Sequence, residues 1–163
     1  MKKRVLSVLI VLTLAFIWGN SLLPGETSLR LSDGVMNGLN KAAAAVGRTE
    51  DIFTTMLDTE GSGVPEPTSY GIRKAAHLTE FALLAALIRL RLDGGGFRRT
   101  ALVWCLSVLA AAADETIQIF SHRGAMITDV LIDSAGAALG ILIVCAAARI
   151  SRRQKNGGDK ENE

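Results

Sequence analysis

Residues 126–148 read MITDVLIDSAGAALGILIVCAAA. The two acids, Asp129 and Asp133, fall within its first eight positions, and from Ser134 onward no charged residue interrupts it. A bilayer core needs about 20 mostly apolar residues per helix, so this run reads as a membrane span whose polar groups are confined to one end. Three more runs of comparable length lie upstream, at 100–120, 72–92 and 5–23. Gly94-Gly95-Gly96 and Ser121-His122-Arg123-Gly124 separate the last three runs, and Pro24-Gly25 stops the first. The expected fold is all-α: a four-helix transmembrane bundle within a domain covering 1–150.

The composition agrees. Of 163 residues, 49% are hydrophobic and the mean hydropathy is +0.32. A net charge of +2 gives no reason to expect a nucleic-acid partner. The two cysteines, Cys105 and Cys145, lie in apolar runs. Their spacing fits small buried hydrophobes rather than a metal site. Lys2-Lys3-Arg4 before the first run resembles the start of a signal peptide. The run is longer than the usual apolar region of such a peptide and no A-x-A-like site follows, so a retained helix is expected.

Direction follows from the basic residues, which favour the cytoplasmic side in short loops. Residues 2–4, Arg89, Arg91, Arg98, Arg99 and the basic residues of 149–160 all fall on one side of a four-span layout. Twelve of the eighteen Lys and Arg lie there. Both ends are therefore expected inside, with 24–70 outside. That loop has the helical spacing Leu31, Val35, Leu39, Ala42, Val46, with Ser32 or Asp33 to cap it, and an interfacial helix is expected there. Residues 151–163 are polar and charged and are expected to form a disordered cytoplasmic tail.

Ionisable groups inside a span cost about 2.5–3.5 kcal/mol each at the helix centre and usually face the bundle interior. Arg73, Lys74, His77 and Glu80 open the second span; Asp114, Glu115 and Gln118 close the third; Arg123 lies in the next turn; Asp129 and Asp133 open the fourth. In the expected topology all ten reach the same outer layer. Within each helix they recur three or four apart, which puts them on one face. Asn20 and Ser21, near the outer end of the first span, add possible donors. Snorkelling to the headgroups accounts for Arg73 and Lys74 but poorly for Glu80, Asp114, Glu115 and Asp133, whose short side chains do not reach water. A salt-bridge network that only fixes packing is the bland alternative to a ligand site. Gly136 and Gly140 form a G-x-x-x-G in an apolar run, a signal for close helix contact or an oligomer, and Ala110 to Ala113 offer a matching small surface.

These residues resemble the VanZ-like family of bacterial membrane proteins. The likeness rests on Ser21-Leu22-Leu23-Pro24, on Arg73-Lys74-Ala75-Ala76-His77-Leu78-Thr79-Glu80-Phe81, and most of all on Asp114-Glu115-Thr116-Ile117-Gln118, Arg123 and the run from Asp129 to Gly136. Asp133 stands where the family commonly has Asn, which adds a charge to bury. The resemblance implies a multi-pass protein of the bacterial cell membrane and envelope. The family's namesake is linked to low-level teicoplanin resistance, so antibiotic tolerance is one expectation.

Three functions compete. One is a non-enzymatic binder of a lipid-linked cell-wall precursor or a lipoglycopeptide, held beside the bilayer by Arg73, Lys74 and Arg123. Another is a membrane hydrolase or transferase with Glu115 as base, His77 as acid and Arg123 as anion clamp; no nucleophile is clearly placed for it. The third is a proton-coupled transporter, which the apolar inner halves of the spans leave without a path. No cofactor is expected. No metal is assigned either, because no His/Asp triad is evident, although His77, Glu80, Asp114, Asp129 and Asp133 have ligand chemistry for zinc or magnesium.

Overall fold

The computed structural model describes residues 2–23, 27, 41, 67–92, 94–120 and 126–158. The expected interfacial helix of 24–70, His122 and Arg123 lie outside the described residues, apart from positions 27 and 41 and the residues from 67 onward. Among the described residues four long helices stand out: α1 (Lys2–Leu22), α2 (Pro67–Arg91), α3 (Phe97–Phe120) and α4 (Ile127–Gly158).

Three of them, α1, α3 and α4, are long and apolar enough to cross a membrane. The second has the length, about 37 Å at 1.5 Å per residue. Its composition is broken by Arg73, Lys74, Glu80, Arg89 and Arg91. The bundle resolves this by placing α2 against all three other helices. Phe81, Leu84 and Ala85 of α2 are fully buried. The outward surfaces of the other helices remain apolar: Val8, Val11, Leu12 and Phe16 on α1, and Leu131, Leu142 and Ile143 on α4, are all exposed. A protein in water rarely leaves such continuous apolar area uncovered; lipid is the solvent that suits it. Hydroxyls in these helices turn back onto their own backbone. Thr13, Thr79, Ser107 and Thr116 each donate to the carbonyl four residues earlier, which satisfies them without water.

Two apolar clusters fill the interior. Ile17, Phe81, Leu84 and Ala111 pack together from α1, α2 and α3. Ala85, Val103, Ala137 and Ile141 pack together from α2, α3 and α4. The tightest contact joins α2 to α4. A Cβ added at Gly136 would collide with the Leu78 carbonyl oxygen, and one at Gly140 with that of Ala82. The glycines thus let two backbones touch, as small residues do in membrane bundles. The sequence pointed to the alanines of α3 as their counterpart. The structure assigns that place to the backbone of α2, because bare backbone accepts a closer approach than alanine methyls. The contact lies inside one chain.

Neighbours along the chain run antiparallel. Arg91 at the end of α2 donates from Nε to Ser7 Oγ near the start of α1, at 3.0 Å. At the opposite end, the Met126 N–H just before α4 donates to Glu115 Oε2 near the end of α3, at 3.0 Å. The chain turns between α2 and α3 through Gly94 (φ 92°) and Gly96 (φ 125°), backbone conformations that glycine adopts without steric cost. Arg89 donates to the Leu92 carbonyl at 3.2 Å and closes the end of α2. One end of the bundle therefore carries Lys2, Lys3, Arg4, Arg89, Arg91, Arg98, Arg99 and the basic end of α4; the other carries the acid-rich layer.

One boundary differs from expectation. Residues 151–158, read as tail, continue α4 to Gly158. Arg149, Arg152, Arg153 and Lys155 are good helix formers and cations suit a helix C-terminus, so polarity alone does not end the helix.

Candidate functional site

The polar layer is assembled from single faces of three helices. On α3, Ala111, Asp114 and Gln118 share a buried stripe with Glu115 beside it. The three-and-four spacing that was legible in the sequence turns these groups inward together. On α4, Asp133 lies one turn before Gly136. Because Gly136 sits against the Leu78 backbone, Asp133 is drawn toward His77 of α2. The glycine contact is therefore what brings the acid of one helix to the imidazole of another.

Within the layer, Gln118 braces two carboxylates. Its Nε2 donates to Asp114 Oδ2 at 3.0 Å and to Glu115 Oε1 at 3.2 Å. Glu115 also accepts the Met126 N–H, satisfying a donor at the start of α4 and placing negative charge near its N-terminus. Glu115 thus ties α3 to α4, and its oxygens are engaged in that work. Lys74 pairs with Asp129 at 2.9 Å. Asn20 of α1 and Asp114 of α3 both stand near Glu80. Ser21 is fully buried.

His77 Nδ1 lies 3.9 Å from Asp114 Oδ2. His77, Asp114 and Asp133 each present one ligand-type atom, all within 4.8 Å of one another. In sequence, 36 and 18 residues separate the three; folding brings them together from three helices. Asp114 and Asp133 are at most 1% exposed. Among the described residues, Asp114 Oδ1 and both oxygens of Asp133 have no hydrogen-bond partner. A small cleft opens above this floor, lined by Arg73, Lys74, His77, Gln118, Asp129, Ile132 and Asp133. Nine of the ten residues expected in the layer are thus seen at one end of the bundle; the tenth, Arg123, lies outside the described residues.

A family model described as VanZ/LLP1 matches residues 6–148. The chain belongs to the VanZ/LLP1 family. No curated protein and no solved structure matches it. The matched segment contains α2, α3, most of α1 and α4 up to its basic end, so this VanZ/LLP1 chain keeps its polar layer and its glycine contact inside the family domain. Two features of the site were not legible in the sequence: the Met126 backbone as the partner of Glu115, and which three of the five candidate ligands, His77, Asp114 and Asp133, stand closest together. Neither has a local signal, because both depend on how α4 is rotated against α2 and α3.

Proposed function

We propose that this VanZ/LLP1 member sits in the bacterial cell membrane with both ends in the cytoplasm and holds a lipid-linked or lipid-like envelope ligand by its anionic group in the outward-facing cleft. The supporting observation is the cleft itself, in which two cations, Arg73 and Lys74, stand over a buried acidic floor at the end of a lipid-exposed bundle. The basic residues of the opposite end favour the cytoplasm, which turns the cleft outward. Arg73 is available as an anion clamp: its buried Nε has no hydrogen-bond partner among the described residues. A guanidinium binds phosphate or carboxylate through paired hydrogen bonds. Exposed apolar side chains on the neighbouring helices would accommodate the acyl or prenyl part of the same ligand.

A contribution to teicoplanin tolerance follows as the physiological reading, because teicoplanin carries a lipid tail and its target is lipid-linked. The test is glycopeptide susceptibility of a Gram-positive host expressing the wild type, Arg73→Ala or Arg123→Ala at matched membrane levels. Raised teicoplanin tolerance with the wild type, lost in either variant, is the expected result. A wild type that changes nothing removes the tolerance reading, and variants that keep full tolerance remove the clamp.

One contact favours a second reading, a hydrolase or transferase acting on the same class of ligand. Asp114 stands 3.9 Å from His77 Nδ1, and a closure of about an ångström would bring the carboxylate to the distance at which it orients an imidazole for proton transfer. Incubating the purified protein with a radiolabelled lipid-linked precursor distinguishes the two: turnover supports the enzyme, binding without turnover the binder.

A further inference from the structure

We infer that His77, Asp114 and Asp133 form a binding site for a divalent metal ion, with zinc the best chemical match. The site needs the fold alone and stands whether or not a lipid-like ligand binds above it.

Three independent features carry this. The first is convergence. One ligand atom from each of α2, α3 and α4 falls within 4.8 Å of the other two. A tetrahedral ion with bonds of about 2.0–2.2 Å needs its ligand atoms roughly 3.3–3.6 Å apart, and small side-chain rotations close that gap. The second is lack of other partners. Asp133 is 1% exposed, and neither of its carboxylate oxygens has a hydrogen-bond partner among the described residues; Asp114 Oδ1 shares that condition. Buried carboxylates are paired or coordinate metals, since an isolated one is strongly disfavoured. Lys74, which lines the same cleft, pairs with Asp129. The third is charge. Asp114 and Asp133, both buried, come within reach of one another, and a divalent ion between them offsets their mutual repulsion.

The donor set narrows the ion. Imidazole suits zinc and its transition-metal neighbours, whereas magnesium and calcium prefer oxygen donors throughout. Three protein ligands leave a fourth tetrahedral position open. His77 and Asp133 both line the cleft, so the open position faces the place where an anionic ligand would enter. Gln118, bonded to Asp114 Oδ2, acts as the outer partner that fixes a ligand's orientation.

The test uses the full-length protein in detergent, in a Cys105→Ser/Cys145→Ser background so that thiols hold no zinc. The protein is loaded with zinc chloride, freed of excess ion and assayed for metal by mass spectrometry, and its affinity is read by competition with a chromophoric chelator. The expected result is about one zinc per chain, with a cobalt-loaded sample showing the visible bands of a low-symmetry four-coordinate site. Asp133→Asn and His77→Gln should each weaken affinity by at least about tenfold, while their helical circular dichroism and gel-filtration profiles match the parent. Zinc below roughly a tenth of an ion per chain in the parent overturns the inference, and so does an Asp133→Asn variant that folds and keeps the parent's affinity. Should both variants misfold, the parent decides through stoichiometry and the cobalt spectrum. Metal alone is the probe, so a negative result leaves the glycopeptide test untouched, and a loss of tolerance there says nothing against the metal.

Discussion

Adding one methyl group at Gly140 should loosen the whole bundle, whereas the same change at Gly19 should not. A Cβ at Gly140 would press against the Ala82 carbonyl oxygen and lie 2.8 Å from its carbon and 2.9 Å from its Cα. Carbon atoms in contact prefer about 3.5–4.0 Å, and no flexible side chain is present to yield, because the obstacle is backbone. The helices α2 and α4 must therefore separate by roughly an ångström at that level. Overpacking of this kind costs about 1–3 kcal/mol, and for a chain of this length each kcal/mol lowers Tm by about 2–4 °C. At Gly19, an exposed position within α1, an added Cβ meets nothing within 4 Å, and replacing a helical glycine by alanine gains about 0.5–1 kcal/mol. The two substitutions should move thermal stability in opposite directions. The assay is melting in detergent followed by gel filtration and tryptophan fluorescence. Gly140→Ala melting with the wild type, or Gly19→Ala falling as far as Gly140→Ala, would refute the claim that α2 and α4 are in backbone contact through this glycine.

Glu115→Ala should destabilise by about 1–3 kcal/mol, since it strands the Met126 N–H and one arm of Gln118; Glu115→Gln, which keeps a carbonyl acceptor, should lose distinctly less in the same melting assay. Orientation can be read by cysteine labelling in the cysteine-free background. Ile127→Cys, 83% exposed at the acid-rich end, should react with a membrane-impermeant maleimide in intact cells, and Arg152→Cys only after permeabilisation. The reverse pattern would invert the topology and put the cleft in the cytoplasm.

Several of these features could be read from the chain before any fold was known. The run from Ser134 to Ala148 has no charge, and such a stretch forms a helix in lipid because only internal hydrogen bonding satisfies its backbone. The depth of Asp114, Asp129 and His77 along their helices follows from counting residues, since rise per residue is fixed. That count suffices to place three helices' polar groups in one layer, as it does to collect the basic residues at the other end. The G-x-x-x-G at Gly136 and Gly140 announced a close approach in the same local way.

What counting does not determine is the rotation of each helix about its axis and its register against its neighbours. Sequence left open whether Gly136 and Gly140 meet a helix of the same chain, with the alanines of α3 as a matching surface, or a second copy. The fold chose the backbone of Leu78 and Ala82, and that choice carries Asp133 to His77 and Asp114. It also gave Glu115 the Met126 N–H, a backbone donor with no side-chain signature to announce it. Hydropathy and spacing are properties of each helix taken alone, so the sequence determined four helices, their polar ends and the depth of the acids. The pairing of one acid with a particular imidazole, amide or lysine is a property of packed surfaces, where a turn of a few tens of degrees exchanges one neighbour for another, and only the tertiary structure decided it.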